Sequence, residues 1–271
     1  MLSAGCTNLS QEDQVTVLSF NIRYDNPGDG VDAWPNRSEW VRSVIEESGA
    51  SVIGLQEALK HQILDIVSET NRFAFVGVGR NDGLEAGEFS PILYDSTLWR
   101  VRSWETRWLS TDSSVVGSVG WDAALPRIAT IVDFNNVFTG KPLRVINTHF
   151  DHRGEEARIQ SALLVSNWTK ENDGAAILMG DFNFEQTGAA YQNAVGISQQ
   201  ASAQLTDSAA LLNFASEPTF LGFDASNVVG PRIDYIFCNS EMVPMSYERL
   251  VHEREGRYLS DHTPIRVKLS F

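Results

Sequence analysis

Ala176-Ile177-Leu178-Met179-Gly180-Asp181-Phe182-Asn183-Phe184 is the stretch on which the reading of the whole chain turns. Its apolar run, bounded by Gly174 and Gly180, has the length of a buried strand rather than of a helix. Side chains alternate along an extended backbone, so Asp181 and Asn183 share one face while Phe182 packs on the other. The strand therefore ends by presenting a carboxylate and an amide to a common space. Alone, a Gly-Asp pair after a strand is ordinary turn chemistry. Its meaning depends on whether other strands end the same way.

Several do. Val15-Thr16-Val17-Leu18-Ser19-Phe20-Asn21 reads as the first core strand and finishes in Asn21. Ser51-Val52-Ile53-Gly54-Leu55 runs into Gln56-Glu57, where a helix over residues 58–70 begins; a carboxylate there also suits a helix N-terminus on its own account. Residues 127–134 and 143–148 form an antiparallel pair, the second leading into His149-Phe150-Asp151-His152. Ile159, Leu163 and Trp168 recur at helical spacing over residues 155–172, which return the chain to the opening strand. Arg232-Ile233-Asp234-Tyr235-Ile236-Phe237 carries a carboxylate inside an apolar alternation, and Ser260-Asp261-His262-Thr263-Pro264 feeds a last strand. Elsewhere, Asn36 with Glu39 predicts a capping box for a helix over residues 37–48. Trp99, Trp104 and Trp108 lie in strand-like alternation and read as packing residues.

The chain has 271 residues, 42% of them hydrophobic, with no apolar run long enough to span a bilayer. Without a linker, repeat or low-complexity stretch, it reads as one domain over residues 15–271 behind a flexible N-terminal segment, 1–14. The formal net charge is -14, a field that repels long polyanions and attracts divalent cations, so long duplex DNA is not an expected partner. Two cysteines, Cys6 and Cys238, make no disulfide framework. Cytoplasmic residence of a monomer is the simplest reading; a secreted or lipoprotein form clipped from a precursor near Cys6 is the alternative.

Asn21, Glu57, His149, Asp181, Asn183, Asp234, Asp261 and His262 together suit hydrolysis of a phosphate ester. Glu57, aided by Asp261 or Asn21, offers the hard oxygen ligands that Mg²⁺ or Mn²⁺ prefers. Asp181, with Asn183 orienting the nucleophile, is placed to activate water. Asp234 next to His262 would fix the imidazole tautomer and favour its charged form, and His149 adds a donor for developing phosphoryl charge. Arg80, Arg127 and Arg37 are candidate phosphate clamps, each of which could equally be an ion-pair partner. Trp34 and Trp121 are candidate stacking platforms should the substrate be RNA or single-stranded DNA.

Ser19-Phe20-Asn21-Ile22-Arg23, Leu55-Gln56-Glu57, Asn147-Thr148-His149-Phe150-Asp151-His152, Gly180-Asp181-Phe182-Asn183, Ile233-Asp234-Tyr235-Ile236-Phe237 and Ser260-Asp261-His262-Thr263-Pro264 resemble, in order, the motifs of the endonuclease/exonuclease/phosphatase superfamily. The resemblance implies a DNase-I-like α/β four-layer sandwich, with two mainly antiparallel β-sheets face to face and helices outside. It also implies Glu57 as principal metal ligand, Asn21 and Asp261 near metal or phosphate, and His149 with the Asp234/His262 pair around the scissile group. Members differ over whether the Asp181-type or His262-type residue is the general base. Fold does not transfer substrate. A small phosphorylated compound is the first expectation, an oligonucleotide the second, and an inert binding module on the same scaffold the third.

Overall fold

The computed structural model describes residues 13–69, 72–171, 174–198 and 204–271. The segment expected over 1–14 falls, through residue 12, outside the described residues, and β1 opens at Gln14. The first sheet runs in the order β11 (Val243–Arg249), β14 (Ile265–Ser270), β1 (Gln14–Asn21), β2 (Val52–Gln56), β4 (Ile92–Asp95), β3 (Phe73–Val76). The second runs β5 (Trp99–Trp108), β6 (Ile128–Asn136), β7 (Pro142–His149), β8 (Ala175–Asp181), β10 (Asp234–Cys238), β9 (Thr206–Asp207). Each is antiparallel except for one pair, β1 with β2 and β7 with β8. A parallel pair needs a crossover, and α1 (Trp34–Glu47) and α3 (Glu155–Trp168) supply the two that these pairs require.

Strand alternation sorts the core into three. Val15 and Val17 of β1 and Ile177 and Met179 of β8 meet between the sheets. Leu18 and Phe20, of the opposite parity, pack outward on Val41, Val44 and Ile45 of α1 and on Ile63 and Ile66 of α2 (Lys60–Val67). Leu178 and Ile146 do the same on Ala162 and Val165 of α3 and on Ala190 of α4 (Ala189–Ala194). The outcome is a four-layer α/β sandwich of the DNase-I-like kind.

Helix α1 begins at Trp34, three residues before the sequence reading placed it. Pro35, with φ already helical, seeds the first turn, and no side chain caps it. Asn36 instead donates to the carbonyls of Gly30 and Val31. Trp99 and Trp108 are buried as expected, whereas Trp104 is exposed.

A buried polar contact crosses the apolar middle layer close to the site. Asn147 of β7 donates from Nδ2 to the carbonyls of Leu55 and Pro91, both at 2.8 Å, and accepts from Gln56 Nε2 at 2.7 Å. These groups are buried, so each bond avoids a desolvation cost of roughly 1–3 kcal/mol. Gly54 makes the approach feasible, since a Cβ there would lie 2.6 Å from Asn147 Oδ1 and 2.8 Å from Met179 Cε. Gly54→Ala is expected to lower stability by about 1–3 kcal/mol in urea unfolding, as overpacking does; an unchanged midpoint would show that the sheets separate without cost.

Candidate active site

The functional side chains share the strand parity of the inter-sheet core. Counting on from Val15 and Val17 gives Asn21; from Val145, His149; from Ile177 and Met179, Asp181; and back from Ile236, Asp234. Where the two sheets end together, the apolar ladder is thus replaced by polar groups from both. Glu57 has the wrong parity after Gln56 and reaches the same space by taking a left-handed backbone, φ 60°. Asn183 (φ 50°) and Arg23 (φ 57°) do likewise. Asn tolerates this region, but for Glu and Arg it costs of order 1 kcal/mol each, strain typical of functional sites.

Asn21 Nδ2 lies 3.1 Å from Glu57 Oε1, 3.0 Å from Asp181 Oδ2 and 3.4 Å from His262 Nε2. Its oxygen accepts the Arg23 backbone N–H at 3.0 Å. That donor is fixed by the main chain, so it assigns the amide orientation. Asn21, expected near metal or phosphate, bridges the two carboxylates as a donor, with its oxygen on the Arg23 N–H. Glu57 Oε2 also accepts from Tyr24 N at 3.2 Å, and Arg23 stands 3.9 Å from Glu57 and 4.0 Å from Asp261.

His262 Nδ1 is 2.8 Å from Asp234 Oδ2, and its Nε2 is 3.6 Å from Asp181 Oδ2. Burial works against its charge, yet Asp234 and then Asp181 hold its pKa well above the usual range. Burial pushes the Asp181 carboxyl up to about 7, against the pull of His262. His149 Nε2 faces Asp181 Oδ2 at 3.5 Å, but burial, Arg127 and Arg80 lower its pKa well below that of a free imidazole. The surroundings of the two histidines thus shift them in opposite directions, His262 toward its charged form and His149 toward its neutral one. Asn183 donates its backbone N–H to Asp181 Oδ1 at 3.0 Å and its Nδ2 to Phe150 O, which fixes the carboxylate's rotamer.

Two sequence assignments need correction, and a third residue takes its ion-pair alternative. Trp34 is buried with its indole N–H on Asp65 at 2.8 Å, leaving no ring face for a base. Arg37 is buried and donates to the carbonyls of Asp32, Ile22, Arg23 and Leu259, so it cross-links backbone instead of clamping phosphate. Arg80 is paired through both Nη atoms with Glu88 at 2.7 and 2.8 Å, its charge already matched. Arg127 contacts Asp151 at 3.4 Å and His152 Nδ1 at 3.0 Å, while its buried Nη1 has no partner; its place beside His149 leaves the clamp role open to it. Sequence reasoning missed Arg23, Glu88, whose Oε2 is 3.9 Å from His149 Nδ1, and Phe220, whose ring lies 5.0 Å from that of His262. Arg23, two residues beyond Asn21 in the same motif, was the one findable signal.

A DNase-I-like sandwich with these groups at one end defines the class, hydrolases of phosphate ester bonds. The sequence matches the endonuclease/exonuclease/phosphatase family over residues 18–262, and the chain belongs to that family. An endonuclease/exonuclease/phosphatase from Bacteroides vulgatus is 34% identical, with a TM-score of 0.85 over 95% of this chain and 99% of that one. A mannosyl-6-phosphatase from Bacteroides thetaiotaomicron is 33% identical, with a TM-score of 0.86 over 95% and 100%. D. rerio TDP2, complexed with single-strand DNA product, shares the fold at 19% identity and a TM-score of 0.72 over 95% and 99%. No curated protein matches the sequence.

Asp234→Asn keeps the shape of the pair but removes the charge that holds His262 protonated. It is expected to lower kcat by about 10²–10⁴-fold, the usual worth of a positioned acid or base, with little change in melting temperature. Steady-state kinetics that match the parent protein would remove His262 from the chemistry.

Proposed function

We propose that this protein is a divalent-metal-dependent phosphoesterase that hydrolyses a compact phosphate ester by in-line attack of an activated water. The observation that carries the reading is the joint approach of Glu57, Asp181, Asp234, His149 and His262 around the Asn21 amide.

Glu57 and Asp261 fit a hard cation. Burial raises the Asp261 carboxyl, and repulsion from Glu57 raises it further, a like-charge conflict that a cation would relieve. Asp181, Asp234 and His262 also have ligand atoms within 4.8 Å of one another. That trio suits Mg²⁺ less well, because it includes an imidazole already bonded to Asp234. When bound, the cation supplies Lewis-acid polarisation of the phosphoryl group and offsets charge on the leaving oxygen. Asp181, near neutrality in pKa and oriented by Asn183, accepts the proton of the attacking water. His262, already charged, is a donor to phosphoryl oxygen rather than the base. Neutral His149 supplies a second donor from the β7 side.

The net charge of -14 favours a small ester over RNA or single-stranded DNA. Support also comes from the 33% identical relative, which is a phosphatase of a mannosyl 6-phosphate group by its name. No helix among the described residues is long and apolar enough to cross a membrane.

Hydrolysis of a panel of phosphomonoesters, phosphodiesters and oligonucleotides should vanish with a chelator and return with Mg²⁺ or Mn²⁺. Glu57→Ala and His262→Ala should each lose at least about 10²-fold in kcat/KM while keeping the parent's circular dichroism. Unchanged rates in both variants would end this reading.

A further inference from the structure

We propose that Thr219 is a positioning residue of the phosphoesterase site, whose hydroxyl and carbonyl oxygens tie the backbone of Asp234 to that of His262 and so aim the pair. The assignment rests on the phosphoesterase reading above.

The start of β10 lacks a strand on one side. β9 pairs with β10 at Phe237 and Cys238 only, so that strand does not reach Asp234. Thr219 takes its place with a side chain. Its Oγ1 accepts the backbone N–H groups of Ile233 at 3.0 Å and of Asp234 at 3.1 Å. Its own N–H donates to the Pro231 carbonyl at 3.0 Å, which keeps the hydroxyl in reach of both.

The same residue reaches the histidine. The Thr219 carbonyl accepts the Thr263 N–H at 2.7 Å, one residue past His262. Phe220 forms an antiparallel bridge with His262, and its ring meets the imidazole edge-on at 5.0 Å. Asp234 opens β10 of the second sheet, whereas His262 precedes β14 of the first, so the ladders themselves do not join one to the other. Thr219 is fully buried and bonded to both segments.

The acidic side chain has little else to hold it. Asp234 Oδ2 accepts from His262 Nδ1 at 2.8 Å, while Oδ1 is buried with no hydrogen-bond partner among the described residues. One bond leaves a carboxylate free to tilt, so its aim comes from the backbone that Thr219 fixes. Removing the hydroxyl strands two buried N–H groups, and the chain must shift to satisfy them. A shift of that kind moves the imidazole off the phosphoryl group, where about 1 Å is enough to cost on the order of 10²-fold in rate.

Thr219→Val keeps the shape and removes the acceptor; Thr219→Ser keeps the acceptor. Rates on p-nitrophenyl phosphate and bis(p-nitrophenyl) phosphate are measured with Mg²⁺, with thermal melts alongside. Thr219→Val is expected to lose about 10–10²-fold in kcat with KM little changed, and Thr219→Ser to recover the parent kcat. In an Asp234→Asn background the same valine should cost about twofold or less, because the pair it aims is already lost. An unchanged kcat in Thr219→Val, or a loss that simply adds to that of Asp234→Asn, overturns the assignment. If the valine variant does not fold, Thr219→Ala, which leaves room for a water on the two N–H groups, carries the same comparison.

The His262 Nδ1–H, bonded to a carboxylate, gives a low-field proton resonance that is identified by its loss in His262→Ala and read without substrate. It should be present in the parent and Thr219→Ser and shifted or lost in Thr219→Val. That pattern with no ester hydrolysed by any form would uphold the positioning role and defeat the phosphoesterase reading. Hydrolysis by the parent, with resonance and kcat both unmoved in Thr219→Val, would do the reverse.

Discussion

One amide group holds the two halves of this protein in chemical register. Asn21, at the end of β1, places its Nδ2 between Glu57, from the same sheet, and Asp181, from the facing sheet. Two carboxylates brought together in a buried space repel strongly at low dielectric, and a shared donor is the least that keeps them there. The arrangement depends on the sheets ending at a common level. That in turn depends on Asn147, which reaches from β7 to the carbonyls of Leu55 and Pro91, just before Glu57 and just before β4.

Opposite pKa shifts on the two histidines follow from what surrounds each one. His262 lies against Asp234 and Asp181, so its cation is stabilised although buried. His149 faces Asp181 as well, but Arg127 and Arg80 stand nearby and burial dominates, so it stays neutral. The two residue types are the same, and the neighbouring charges decide the role of each. Glu88, bonded to Arg80 and 3.9 Å from His149, is part of that balance, although along the chain it is only one acidic residue in a glycine-rich loop.

Much of this was legible because strand parity is simple. A two-residue period carries the apolar pattern of 15–19, 143–147 and 175–179 directly onto Asn21, His149 and Asp181, so the chemistry was visible as an interruption of that pattern. What stayed hidden was set by contacts distant in sequence. Arg37 read as a phosphate clamp or an ion-pair partner, yet its partners are backbone carbonyls, that of Leu259 far along the chain among them. Trp34 read as a stacking platform, but Pro35 draws it into the first turn of α1 and inward. The orientation of the Asn21 amide turns on one backbone N–H, that of Arg23, which its left-handed conformation presents. Glu57 likewise enters the site through a backbone angle that no residue pattern announces.

The proposed division of labour, with Glu57 and Asp261 holding a cation and Asp181, Asp234 and His262 as acid–base groups, is open to direct observation. Crystals equilibrated with Mn²⁺ can be measured at a wavelength where manganese scatters anomalously. The expected peak lies against the Glu57 and Asp261 carboxylates, with the His262–Asp234 bond intact. A peak coordinated by Asp181, Asp234 and His262, or none at saturating Mn²⁺, would contradict the separation of metal and acid–base roles.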